Sequence, residues 1–143
     1  MNQLAIVYWS GTGNTEAMAN CIAQGAEEAG AQVCQMGPSE FSAARLSEFN
    51  VIAFGCPAMG AEVLEEMEFE PMFAELEHSL SGKKIALFGS YGWGDGQWMR
   101  DWCARCTDAN ANLYDPQGLM VNEAPGEDDQ ETCRALGRAL ACW

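Results

Sequence analysis

The stretch Trp9-Ser10-Gly11-Thr12-Gly13-Asn14-Thr15-Glu16 brings together the hydroxyls of Ser10, Thr12 and Thr15, the Asn14 carboxamide and two glycines, with no basic side chain. Such a set suits one task well, the holding of a phosphate by backbone N–H groups and hydroxyls. It works best at a helix N-terminus, where the macrodipole favours an anion and glycine lets the backbone close around the oxygens. Two other phosphate loops do not fit. The nucleotide-hydrolysing loop needs a Gly-Lys-Ser/Thr ending, and Asn14-Thr15 brings no lysine. The dinucleotide fingerprint needs a third glycine where Glu16 stands.

Two further loops carry large polarizable side chains on glycine-rich backbone. One is Gly55-Cys56-Pro57-Ala58-Met59-Gly60-Ala61-Glu62, the other Gly89-Ser90-Tyr91-Gly92-Trp93-Gly94-Asp95-Gly96. Met59 from one, and Trp93 with Tyr91 from the other, suit the two faces of a flat aromatic ring. The first loop would then hold a phosphate linked to that ring.

The elements around these loops are those of an open α/β sheet. Leu4 to Tyr8, Val51 to Phe54 and Ile85 to Phe88 are near-continuous apolar runs, the mark of buried parallel strands, and each runs into one of the three loops. Ala31 to Gln35 reads as a weaker strand and Leu119 to Val121 as a short one. Helical patterns cover Thr15 to Ala29, Pro71 to Leu80, about Gly96 to Ala109, and the end of the chain from about Asp128. Met36 to Glu48 reads as a loop or a short helix. Strand–helix alternation places helices on both faces and ligands beyond the carboxyl ends of the strands, so the three loops converge on one site.

At 143 residues the chain fits one domain, 1–143, and its 48% apolar content supports a packed core. Met1-Asn2-Gln3 lacks the basic start of a leader, and no stretch is long enough to span a bilayer, so the expectation is a cytoplasmic protein with no membrane partner. Seven cysteines, an odd number, point to free thiols in a reducing compartment. The formal net charge of −14 argues against nucleic acid and suits docking to basic protein surfaces. Its acids cluster at Glu62 to Glu77 and Glu123 to Glu131.

In these motifs the chain resembles the flavodoxins. Ser10-Gly11-Thr12-Gly13-Asn14-Thr15 is similar to their FMN-phosphate loop; Gly55 to Gly60 with Glu62, and Gly89 to Gly96, are similar to their second and third flavin loops. The likeness runs nearly end to end, and the length matches the short-chain form, without the insertion that splits the last strand. It implies a flavodoxin-like three-layer sandwich with a five-stranded parallel sheet of order 2-1-3-4-5, the order known for flavodoxin itself. It implies non-covalently bound FMN and a low-potential one-electron carrier that shuttles between semiquinone and hydroquinone, with no catalysis of its own. Partners would be redox enzymes with basic docking surfaces, met by a monomer.

By the same resemblance, Ser10, Gly11, Thr12, Gly13, Asn14 and Thr15 take the phosphate; Pro57 and Ala58 belong to the second loop, and Met59 stacks on the inner ring face. Trp93 stacks on the outer face, backbone from Ser90 through Tyr91 and Gly92 to Gly94 meets the ribityl chain and ring edge, and Glu62 approaches the pyrimidine side. The Gly60–Ala61 peptide is the switch, its Gly60 carbonyl accepting a bond from flavin N5–H after one-electron reduction. Glycine first in that turn is what a type II′ geometry requires, so the sequence supports the motion independently. Ala61 departs from the polar or acidic residue of many relatives, which puts the size of the switch in question.

Other candidates read as packing. Cys103-Ala104-Arg105-Cys106 lies within a helix on the Met99 stripe, where a redox pair would open a helix instead, and no second pair completes a zinc site. His78 is the one histidine and sits on an acidic helix, away from the loops. Cys56 adjoins the ring site and reads mainly as a small packed residue. Two rivals share the fold: a flavin-dependent reductase, which turnover of a nicotinamide without a second enzyme would reveal, and a dedicated activator of one enzyme. Against a phosphoaccepting receiver, which needs an acidic cluster after the first strand and an aspartate after the third, stands Pro57-Ala58-Met59 at the latter place.

Overall fold

The structure is a computed structural model describing residues 2–143; Met1, part of the leader argument above, lies outside the described residues. Strands β1 (Gln3–Tyr8), β2 (Gln32–Met36), β3 (Val51–Gly55) and β4 (Lys84–Tyr91) pair in parallel in the order β2-β1-β3-β4. Two short strands, β5 (Asn112–Leu113) and β6 (Leu119–Asn122), together fill the fifth position beside β4, giving the expected 2-1-3-4-5 order. The interruption between them has a local cause. Asp115-Pro116-Gln117-Gly118 forms a turn closed by the Gly118 N–H on the Asp115 carbonyl (3.1 Å), with Gly118 at φ 72°. Proline there has no N–H to give the ladder.

Helices α1 (Asn14–Glu28) and α4 (Glu127–Cys142) cover one face; α2 (Phe69–Leu76) and α3 (Gln97–Asp108) cover the other. The α1 layer is built from small residues. Met18, Ala19, Ile22, Ala23 and Ala26 recur at helical spacing and are buried against β1 and β3. A side chain at Gly25 would collide with the Arg134 carbonyl, and one at Gly137 with the Ile22 carbonyl, so α1 and α4 meet backbone to backbone. The opposite layer is aromatic. Phe54 meets Phe73 edge to face with centroids at 5.3 Å, Trp102 meets Phe69 likewise at 5.5 Å, and Phe69 stacks on Phe73. Arg105 lies over Phe73 and ion-pairs with Glu70 and Glu77, both at 2.8 Å, pinning α3 to α2.

Two expectations shift in detail. The second helix begins at Phe69 rather than Pro71, because the Glu65 carboxylate accepts the N–H groups of Met67 (2.8 Å), Glu68 (2.8 Å) and Phe69 (2.9 Å) and so starts the helix early. Pro71 falls in its first turn, where an N–H is not needed. The segment from Met36 to Glu48 holds two short 3₁₀ turns, Pro38–Glu40 and Ala43–Glu48. No helix among the described residues is long and apolar enough to cross a membrane.

Candidate flavin site

Each central strand ends in a loop at the same edge, and backbone bonds tie the loops together. The Trp9 N–H donates to the Gly55 carbonyl (3.0 Å), linking the first loop to the second. The Cys56 and Ala58 N–H groups donate to the Phe88 and Ser90 carbonyls (3.1 and 3.0 Å), linking the second to the third. Thr15 and Ser90 are both buried; their hydroxyls lie 3.0 Å apart, and the Ser90 N–H donates to Thr15 Oγ1 at 3.3 Å. The Thr15 side chain therefore locks the start of α1 to the third loop. A fourth loop joins them, since the Glu123 N–H donates to the Tyr91 carbonyl at 2.8 Å.

The first loop is built as an anion cradle. Gly13 caps α1 at φ 97° and has no side chain of its own to give the helix. Ser10 Oγ accepts the Gly13 and Glu16 N–H groups, both at 3.2 Å, and Thr12 Oγ1 accepts that of Asn14 at 3.4 Å. The N–H groups of Ser10, Gly11, Thr12 and Thr15 find no partner among the described residues. Four open donors at a helix N-terminus, with no cation nearby in the loop, fit a phosphate ester by charge and by hydrogen bonding.

Beside this cradle is a cleft of about 220 Å³ lined by Trp9, Gly11, Thr12, Asn14, Pro57, Ala58, Met59, Ser90, Tyr91, Gly92 and Glu123. Nine of these eleven are residues that the sequence singled out. The two additions had readable signals. Trp9 immediately precedes the phosphate loop, and its ring lies against Gly11, where a Cβ would sit 2.9 Å from it. Glu123 follows β6, so it belongs to one more loop at the carboxyl edge, and it takes the left-handed conformation at φ 61°.

The remaining site residues surround the cleft without lining it. Ser10, Gly13 and Thr15 shape the cradle from behind, as described. Met59-Gly60-Ala61-Glu62 is a turn closed by the Glu62 N–H on the Met59 carbonyl at 2.7 Å. Neither Gly60 nor Ala61 has positive φ, so the turn is not in the type II′ form, while a Cβ on Gly60 would meet open space. The Glu62 carboxylate accepts the Gln97 N–H (3.2 Å) and stands against Gly94, tying the second loop to the start of α3. Trp93 stands in solvent at 63% exposure, at the mouth rather than in the wall.

The nucleophile candidates are quiet. Burial pushes the Cys56 thiol up to about 12, and its sulfur accepts the Glu65 N–H at 3.3 Å. Burial likewise raises Cys103 to about 11 and Cys106 to about 12, so both stay protonated packing residues. His78 is exposed in a 3₁₀ turn after α2, remote from the cleft. A larger hollow, about 630 Å³, lies outside α3 against Arg100, Cys103, Thr107, Pro116 and Met120, and none of the glycine-rich loops contributes to it.

A doubly wound α/β sheet with an anion cradle and a shallow, aromatic-walled cleft at its switch edge defines the class of small flavin-nucleotide proteins. The flavodoxin family model matches residues 6–137. The chain is 46% identical to a flavodoxin of Clostridium beijerinckii over 138 residues, 96% of this chain and 99% of that one. It is 47% identical to a flavodoxin of Megasphaera elsdenii over 136 residues, 95% and 96% of the two chains. The solution structure of two-electron-reduced Megasphaera elsdenii flavodoxin superimposes with a TM-score of 0.89 at 46% identity, covering 99% of this chain and all of the other. The protein belongs to the flavodoxin family, whose members are FMN-binding electron carriers rather than enzymes.

Proposed function

We propose that the whole chain, 1–143, acts as one FMN-binding domain. It is a monomeric cytoplasmic carrier that passes single electrons between redox enzymes at low potential, alternating between semiquinone and hydroquinone. The observation that carries this reading is the cradle of open N–H donors at Ser10, Gly11, Thr12 and Thr15, beside a cleft walled by Trp9, Met59 and Tyr91. When bound, FMN supplies a ring that accepts and releases one electron at a time. The chain supplies everything that tunes it.

Ser10 to Thr15 hold the phosphate. Met59 lies against the inner ring face, and Trp93, free at the mouth, closes on the outer one. Backbone from Ser90 to Gly94 follows the ribityl chain to the ring edge, and Glu62 stands by the pyrimidine side. The Gly60 carbonyl would accept a hydrogen bond from flavin N5–H, a donor that the oxidised ring lacks. A net bond of about 1 kcal/mol shifts a one-electron step by about 40 mV. Glu123, in the cleft wall, and Glu62 work on the next step. A carboxylate about 10 Å from an added negative charge opposes it by about 1–2 kcal/mol at an effective ε near 20. Both effects favour stopping at one electron and make the last electron strongly reducing.

Anaerobic stepwise reduction of the FMN-loaded protein, followed by visible absorption, tests this. A long-wavelength radical band that rises to half reduction and then falls is the expected result. Flavin that passes directly from oxidised to fully reduced would remove the one-electron reading. Protein that takes up no FMN would remove the site.

A further inference from the structure

The split in the fifth strand breaks the ladder beside β4, and the break opens into a hollow. Odd-numbered residues of β4 turn their backbone toward that strand. The Ile85 carbonyl takes the Tyr114 N–H at 2.9 Å, and the Tyr91 carbonyl takes that of Glu123 at 2.8 Å. Leu87 stands between them. Ile85 pairs with Leu113 and Phe88 with Leu119, and the chain between those two partners swings out through the turn from Asp115 to Gly118. The Leu87 N–H therefore faces the break and finds no partner among the described residues. Leu87 is 2% exposed, and a buried N–H without an acceptor is rare and costly.

On the α4 side of the break lies a hollow of about 240 Å³. The Leu87 side chain packs into the aromatic layer opposite, so backbone is what this residue shows to the hollow. Ala86, Leu119 and Leu136, from the α1/α4 layer, make the walls apolar. Tyr114 stands at one side, its ring set edge-on to Trp143 with centroids 5.3 Å apart. The rim offers acceptors: the Asp115 carboxylate, and the Thr132 hydroxyl, which donates its own proton to the Asp128 carbonyl at 2.9 Å. An apolar cavity of about 150 Å³ holds one benzene ring, so this hollow takes about two fused rings. The free donor buried in its wall calls for an acceptor on the ring edge. Asp115, in a chain of formal net charge −14, turns anions away.

We propose that this hollow is a second ligand site, apart from the flavin cleft, for a flat, uncharged, fused-ring heteroaromatic compound whose ring nitrogen or carbonyl accepts the Leu87 N–H. The ligand takes the place that an unbroken fifth strand would fill, completing the hydrogen bonding at Leu87 and covering the apolar walls. Tyr114 gives its rings an aromatic neighbour. None of the three glycine-rich loops contributes to the hollow, so the site is open with FMN bound or not.

The test uses isotope-labelled, FMN-loaded protein and isoquinoline as probe, in mildly alkaline buffer where the probe is uncharged. Amide NMR spectra followed through a titration should show the Leu87 N–H shifting, with a dissociation constant below about 1 mM. Indole, of similar size but with a ring N–H in place of the acceptor, should bind at least about threefold more weakly. Ala135→Phe, at an exposed position of α4 on the rim, fills the hollow with the protein's own side chain and should weaken isoquinoline binding at least about tenfold. A Leu87 amide that does not move, or shifts confined to Ser10 to Thr15 and Met59 to Glu62, overturns the site. Isoquinoline binding to Ala135→Phe at parental strength also overturns it, and equal binding of indole overturns the role of the Leu87 N–H. FMN uptake and the radical band, recorded on the same samples, report on the carrier reading separately.

Discussion

The two helical layers solve one packing problem by opposite means. On the α1/α4 side, Gly25 and Gly137 bring backbones into contact and alanines fill much of the remainder, so the helices pack closely. On the α2/α3 side, the large rings of Phe54, Phe69, Phe73 and Trp102 fill the layer, and Arg105 clamps its outer edge. The difference follows the work each layer does. α1 begins at the anion cradle, where a shift of its first turn would carry the Thr15 N–H away from the open donors of the loop before it. α2 and α3 follow the second and third glycine-rich loops, and interlocked side chains tolerate adjustment that touching backbones do not.

Mutations can break or sharpen this contrast. The largest effect is expected from Phe73→Ala, which empties the middle of the aromatic layer. About 3–5 kcal/mol of stability should be lost in urea titrations, with FMN affinity little changed so long as the fold persists. Gly137→Ala should cost about 2–3 kcal/mol by forcing α4 off α1, and here FMN affinity should fall in parallel because α1 carries the cradle. If calorimetry found equal FMN affinity in both variants, the contrast between the layers would be lost.

Glu65→Gln is a smaller change, about 1–2 kcal/mol near pH 7, as a charge accepting three N–H bonds is removed. Burial raises the Glu65 carboxyl, but the N–H groups of Phe69, Glu68 and Met67 more than offset it, so it stays below the ordinary carboxylate range. Its contribution is therefore complete above the unfolded value, about 4.3, and fades as pH falls through the lower folded value. The stability gap between parent and variant should close in that acid window, as urea midpoints at stepped pH would reveal. Smallest for the fold is Gly60→Ala, whose Cβ meets open space in the present turn. Stability and oxidised-FMN affinity should hold, whereas positive φ at that position would cost about 1–2 kcal/mol. Potentiometry should then find the first one-electron potential lower by about 40–90 mV.

Local order was legible wherever one residue's chemistry set the backbone. The apolar runs of β1, β3 and β4 admitted little but buried strands, and Gly13 and the hydroxyls of Ser10 and Thr12 marked the cradle by their types and spacing alone. Of the fifth strand only Leu119 to Val121 was legible; Asn112–Leu113 is too short to carry a pattern, and the turn at Asp115-Pro116-Gln117-Gly118 that splits the strand was not read. The early start of α2 was not, because it depends on how Glu65 folds back onto N–H groups two to four residues ahead.

The sequence by itself determined the long buried strands, the existence of the four helices and the anion loop, since propensity, periodicity and glycine's freedom act over a few neighbouring residues. Only the tertiary structure decided that Thr15 turns to Ser90, that Glu62 reaches the start of α3, and that Trp9 and Glu123 wall the cleft. It also decided that Met67 faces solvent while Glu65 and Phe69, two residues away on either side, are buried. Each of these depends on contacts between residues far apart in the chain, and direction in space is fixed by packing, on which spacing along the sequence is silent.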